Sequence, residues 1–435
     1  MNGNYAPLFR RRWLYLVLFS LINFCTGALY VWSVFASALA VHLSRAMGVT
    51  VTVAQLGAVF GTATAVTPIL MFTGGYVNDR FGPRFIIMVG GVLLAIGYWL
   101  SARAVDVTTL YMTYGLCVGA GTGLVNGCTI NSAVKFFPDR RGFAGGLVTA
   151  SLGVGGALLP FLANALIASQ GISTTLMCFA LLLGVVVVSA ALPLVKCPDG
   201  FSAFVSLSAP QWKAQLKPSA RQPAAEVNLN WRDMLRTARF YPLFLVFAMC
   251  ATLGLMLISN ISAIAATQMR FSAALIALSV STLSLANTAG RFLSGVLSDR
   301  LGRMPTLQLV LLVALVALWL LYGAQSGDTV QFLAGLVGVG LCYGASFGVY
   351  PGLVADEFGA LNNSVNFSVM AFAYSIGGFL GPWIIRWVNA SGYYALAYAM
   401  GLAVAVLGLL GSLAYYAARA RDVNALRTEP SGAAH

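Results

Sequence analysis

Arg291 is the side chain in this sequence whose surroundings most call for a chemical role. It stands in SLANTAGRFLSGVLSDRLGR, residues 284–303, within a run of small and apolar residues and eight positions before Asp299. A guanidinium carries a planar fork of donors that grips a carboxylate through two parallel hydrogen bonds. The amide Asn287 lies at i−4, on the same helical face. Arg291 therefore either bonds helix carbonyls and amides such as Asn287, or it anchors an anion. Other chemistry finds little support. His42 and His435 are the only histidines, and the seven cysteines have no CxxC spacing. Neither a catalytic dyad, a metal site nor a disulfide framework is indicated. No enzyme activity, no metal and no cofactor are expected.

The elements that must hold Arg291 are membrane helices. Of 435 residues, 59% are hydrophobic and 9% charged, whereas soluble domains carry roughly a quarter charged. About 20 apolar residues cross the hydrocarbon, and twelve such spans can be read in the sequence. They run at 13–38, 53–76, 85–103, 108–134, 142–169, 173–195, 242–267, 273–297, 305–325, 329–355, 363–389 and 393–417. The apolar stretch after Arg10–Arg12 continues to Ala38 without a cleavage site, so it reads as the first span, not a signal peptide. The polar interval 196–240 divides the chain. The expected organisation is a six-helix bundle at 1–195, a cytoplasmic linker at 196–240, a second bundle at 241–418 and a tail at 419–435.

Charge gives the orientation. With the N-terminus inside, 20 of the 25 basic residues fall on the cytoplasmic face. That bias explains the net charge of +13 as membrane topology, without nucleic acid, and puts both termini in the cytoplasm. All twelve acids lie in loops, tails or helix ends. Arg291, by helical rise about 12 Å from Asp299, sits near the midplane of a hydrocarbon layer about 30 Å thick. No carboxylate partner shares its depth in the sequence.

The two halves repeat. GGYVNDRFGPR (74–84) returns as SGVLSDRLGR (294–303), with Asp79 and Asp299 offset by 220. Gly115, Gly119, Gly123 and Gly127 form a four-spaced line in the fourth span, and Gly340, Gly344, Gly348 and Gly352 do so in the tenth. Such lines let helix backbones approach closely. The paired loops, with Gly75, Asp79, Arg80, Gly82 and Arg84 in one and Gly295, Asp299, Arg300, Gly302 and Arg303 in the other, resemble the signature loop of the major facilitator superfamily. The resemblance implies an all-α fold of twelve transmembrane helices in two pseudo-symmetric halves. It also implies that these loops gate the cytoplasmic side and do not choose the substrate.

A second stretch, KFFPDRRGFAGGLVTASLGVGGALLP (135–160), resembles the monocarboxylate transporters and the oxalate/formate antiporters. That likeness implies a secondary transporter of a small carboxylate, working by rocker-switch alternating access around Arg291. The oxalate antiporter pattern has a second cation, a lysine in the eleventh span, where this chain has Tyr374. One cation suits a monoanion such as L-lactate or pyruvate better than oxalate; oxalate/formate exchange is the alternative. Monocarboxylate transporters place an acid where this chain has Asn287 and a lysine in the first span, which is lacking here. The rest of the expected site comes from aromatic and polar residues near the midplane: Tyr30 and Trp32, Asn126 and Asn131, Tyr343 and Phe347, and Tyr374. Proton linkage is implied by resemblance, but no titratable group lies mid-span. The proton travels on the substrate, or Asp356 or Glu357 takes part, or transport is exchange or uniport. A monomer in a bacterial inner membrane is the family expectation.

Overall fold

The computed structural model describes residues 5–208, 228–389 and 394–428. Lys213, Lys217, Arg221 and Glu226 of the linker, and Glu429 and His435 of the tail, lie outside the described residues. Secondary structure among the described residues is helical, as a lipid environment requires of a chain without a closed barrel. The elements are α1 (Ala6–Thr26), a 3-10 turn (Gly27–Val31), α2 (Trp32–Met47), α3 (Val53–Phe81), α4 (Pro83–Ser101), α5 (Val107–Leu110), a π-helical stretch (Tyr111–Val118), α6 (Gly119–Phe136) and α7 (Arg141–Ala191). There follow α8 (Phe201–Ser208), α9 (Trp231–Arg236), α10 (Phe240–Ile258), α11 (Ile261–Thr267), α12 (Ala273–Leu301), α13 (Arg303–Gly323), α14 (Thr329–Phe358), α15 (Asn363–Asn389) and α16 (Tyr394–Thr428).

The described residues of the expected spans are mainly helical, with turns or coil such as those at 192–195, 259–260 and 324–325. Nine helical stretches among the described residues are long and apolar enough to cross a membrane. One of these, α7, joins two expected spans across Gly171, whose φ of 78° breaks the helix. The local signals work as the residue types dictate. Thr52 and Gln55 form a reciprocal capping box at the start of α3. Gly82 and Gly302 turn the two signature loops at φ 91° and 98°, a region L side chains avoid. The linker departs from the polar loop expected: Phe201–Ser208 is a helix, because FSAFVSLS is apolar enough to pack. Phe201 and Val205 are buried there, and Tyr5 meets the Phe201 ring edge-on at 6.1 Å.

The chain forms two compact units, one of residues 1–226 with 354–369, the other of 227–353 with 370–435. In the first, α3 packs along α6; in the second, α12 lies along α14. The glycine lines bring the paired helices close, onto backbone at Gly123, Gly344 and Gly348 and onto a side chain at Gly127. A β-carbon added at Gly123 would fall 2.3 Å from the Thr67 carbonyl oxygen, and one at Gly127 2.6 Å from Met71 Cγ. In the second unit a β-carbon at Gly344 would lie 2.0 Å from the Asn287 carbonyl oxygen, and one at Gly348 2.0 Å from that of Arg291. Thr67 and Asn287, and Met71 and Arg291, are each 220 residues apart. The sequence repeat is thus a repeat of helix contacts. Gly348→Leu is expected to abolish recovery of monodisperse protein in fluorescence-detected size exclusion, since backbone cannot yield as a side chain can. Glycine-to-leucine at Gly57, which has open space around its β-position, should be tolerated.

Candidate functional site

Arg291 is 4% exposed. Its Nε donates to Asn287 Oδ1 at 3.3 Å, the i−4 partner expected from spacing. Its guanidinium carbon lies 4.7 Å from the centroid of the Phe347 ring, in cation–π range. Phe347 is the hub of an aromatic set. Tyr343 meets it edge-on at 5.6 Å, Tyr374 at 5.4 Å and Phe247 at 5.5 Å. The backbone contacts of Gly344 and Gly348 fix the height of Asn287 and Arg291 against this set. Gly254 leaves room for the Tyr343 ring, since a β-carbon there would fall 2.2 Å from Tyr343 Cγ. The second unit therefore brings Arg291, Asn287, Tyr343, Phe347 and Tyr374 together around one buried cation.

The first unit holds the other expected residues. Tyr30 is 41% exposed. Asn126 is half-buried, and its Oδ1 accepts from the Thr26 hydroxyl at 2.7 Å. Asn23, fully buried, donates through Nδ2 to the Val148 carbonyl at 2.8 Å, and its Oδ1 lies 3.2 Å from the Thr129 hydroxyl. Two expected lining residues are committed elsewhere. Trp32 is buried with its ring 4.1 Å from that of Tyr114. Asn131 is fully buried; it donates to the Gly127 carbonyl and accepts from Asn363 Nδ2 at 2.7 Å. Asn23 and Thr26 were not anticipated, since nothing in a polar residue on an apolar helix says which neighbour it reaches.

The signature loops differ in what they hold. In the first, Asp79 receives the Lys135 ammonium at 2.6 Å and the backbone N–H groups of Ser364 and Val365 at 3.3 and 3.1 Å. It thus caps the N-terminus of α15, where the helix dipole favours an anion. Lys135 also reaches the Leu361 carbonyl, and Asn78 bonds the Ser364 hydroxyl at 2.8 Å. Gly75 permits the approach: a β-carbon there would sit 2.8 Å from Ser364 carbonyl carbon. Arg80 lies against Phe81 and Tyr76, and Arg84 is exposed. In the second loop Asp299 pairs with Arg303 at 2.7 Å, Ser298 takes the same guanidinium at 2.6 Å, and Arg300 is exposed. Around the first loop, Arg141 pairs with Asp356 at 2.6 Å. Arg12 pairs with Asp139 at 2.8 Å between the faces of Phe9 and Phe137. In the sequence these charges register only as a basic excess between spans; the pairings between distant segments carry no sequence signal. Cys197 lies beside this cluster, its thiol toward the Lys135 carbonyl, and burial pushes its pKa up to about 12 against the pull of Lys135.

The family model for the Major Facilitator Superfamily matches residues 19–382, with a second match at 248–433. The chain belongs to the major facilitator superfamily. Its members are transporters, not enzymes, and this chain is a multi-pass membrane transporter. It is 29% identical to the oxalate:formate antiporter of Oxalobacter formigenes over 387 residues, 87% of this chain and 86% of that one. It is 27% identical to human monocarboxylate transporter 11, covering 79% of this chain and 69% of the relative. A fucose:proton symporter structure in the outward conformation superposes with TM-score 0.61 at 16% identity, over 92% of this chain and 99% of that one. A proton:xylose symporter does so with TM-score 0.64 at 15% identity, over 92% and 95%. These structures speak for the superfamily fold alone.

Within that fold Asp79 and Lys135 form a largely buried ion pair. Removing one partner of a buried ion pair costs about 3–5 kcal/mol, because the other is left uncompensated. Asp79→Ala is expected to lower the thermal unfolding midpoint measurably in detergent, and Asp299→Ala to lower it less, since the Asp299 side chain is 16% exposed against 8% for Asp79.

Proposed function

We propose that the protein is a proton-linked secondary transporter of a small monocarboxylate such as L-lactate or pyruvate. Arg291 holds the carboxylate, and the halves at 1–195 and 241–418 alternate access to it. The observation that carries this reading is a guanidinium buried on a membrane helix, with the Asn287 amide at its Nε and the Phe347 ring 4.7 Å from it. A cation at the centre of a membrane helix costs about 2.5–3.5 kcal/mol on the insertion scale. Two charge-assisted hydrogen bonds to a carboxylate, each about 1.5–3 kcal/mol, offset that cost. Asn287, Phe347, Tyr343 and Tyr374 complete the anion's surroundings in one half; Tyr30 and Asn126 serve in the other.

A single cation favours a monoanion. The position matching Arg291 in the first repeat is Met71, and the eleventh span carries Tyr374. The likeness to the oxalate:formate antiporter and to monocarboxylate transporter 11 supports a carboxylate substrate class. The extent of the antiporter match, 87% of the chain, favours exchange as the second reading. For the proton, the substrate carboxyl is the first carrier; Asp356, paired with Arg141, and Glu357, buried, are the protein groups near the helix ends. The Asp79, Arg80 and Arg84 loop, with Gly75, and the Asp299, Arg300 and Arg303 loop act in gating. The basic bias supports cytoplasmic termini, and a bacterial inner membrane is the expected home of the monomer.

Purified protein in liposomes should accumulate labelled L-lactate when the outside is made acid. Uptake only into vesicles preloaded with formate or another carboxylate would establish exchange instead. Arg291→Gln should lose about 3 kcal/mol of carboxylate binding, roughly a hundredfold in apparent affinity; undiminished transport by this variant would sink the assignment.

A further inference from the structure

We infer that Thr26 and Asn23 are positioning residues that set which end of the Asn126 amide faces the substrate, making Asn126 a hydrogen-bond donor to a substrate oxygen. This rests on the monocarboxylate reading above. Thr26 is 1% exposed and closes α1 where the chain tightens into a 3-10 turn. Its hydroxyl has one proton and three oxygens within reach: the Asn23 carbonyl at 2.8 Å, Asn23 Oδ1 at 3.3 Å and Asn126 Oδ1 at 2.7 Å. The Asn23 carbonyl already receives the backbone N–H of Gly27. Asn23 Oδ1 lies 3.2 Å from the Thr129 hydroxyl, which is nearer to the Val125 and Asn126 carbonyls at 3.0 and 3.1 Å. Asn126 Oδ1 is the nearest of the three and has no other donor among the described residues, and we assign it the Thr26 proton.

Asn23 is itself oriented from behind. Its Nδ2 donates to the Val148 carbonyl on α7, so its Oδ1 must face Thr26 and Thr129. The chain of orientation runs from the α7 backbone through Asn23 and Thr26 to Asn126. At its end, Asn126 is half-buried, and no described residue accepts from its Nδ2. Two amide N–H donors are thereby presented by a side chain that cannot turn over without setting Oδ1 aside from its donor. Amide donors suit the oxygens of a carboxylate or of a 2-hydroxy or 2-oxo group, and repel no anion. A purely structural role, as polar glue between α1, α6 and α7, would hold helices together without concern for what Asn126 exposes.

The test uses the full-length protein in liposomes with L-lactate. Thr26→Val keeps the shape and removes the proton; Thr26→Ser keeps the proton. Thr26→Val should raise KM roughly tenfold, as loss of one well-placed hydrogen bond does, with Vmax near the parent's. Thr26→Ser should restore the parental KM. Thr26→Ala, which adds no bulk, takes the place of the valine variant should that not be recovered, and the same rise in KM is expected. A parental KM in the valine or alanine variant, with only a lowered unfolding midpoint, would show helix glue and overturn the inference. So would a serine variant as impaired as the valine one. If the parent protein itself carries no monocarboxylate, by gradient or by exchange, the carboxylate reading fails first and takes this inference with it.

Discussion

A charged guanidinium held inside a low-dielectric helix bundle is the constraint from which the rest of this structure follows. Arg291 cannot be left where its hydrogen-bonding power is unused, and it cannot move toward water because its helix is pinned. Gly344 and Gly348 bring the backbone of α14 against the carbonyls of Asn287 and Arg291, so that neither helix can slide without collision. Phe347 then lies under the cation and Asn287 turns its Nε. Small residues in the neighbour make the height of the charge definite, and a definite height is what an anion site requires.

The same helix contact occurs in the first unit without the charge. Thr67 and Met71 occupy the places of Asn287 and Arg291, against Gly123 and Gly127. Duplication supplied the scaffold twice, and only one copy carries the cation. The signature loops show a similar divergence. Asp79 reaches across sequence to the start of α15 and to Lys135, while Asp299 stays with Arg303 four residues on. Near-identical motifs therefore hold different partners, because a carboxylate at a helix end binds whatever donors the neighbouring segments bring to it. Polar residues inside the first unit are arranged with equal economy. Asn131 accepts from Asn363, whereas Asn126, five residues earlier on α6, accepts from Thr26.

Much of this was legible in the order of residues. Apolar length, the placement of basic residues, the repeated loops and the four-spaced glycines are local or periodic properties, and they specify helices, a two-fold repeat and close packing without reference to any distant residue. Arg291 stood out for the same reason: a charge in an apolar run is costly wherever the run folds. Its partner Asn287 follows from helical spacing alone. What only the tertiary structure decided are the relations between segments. It spent Trp32 and Asn131 on internal contacts, joined Asn23 and Thr26 to Asn126, folded the start of the linker as a packed helix, and matched Arg12, Lys135 and Arg141 with their acids. Hydrogen bonds and ion pairs depend on ångström-scale distances between chain segments far apart in sequence. Residue type says that a partner is needed; only the fold says which one is near.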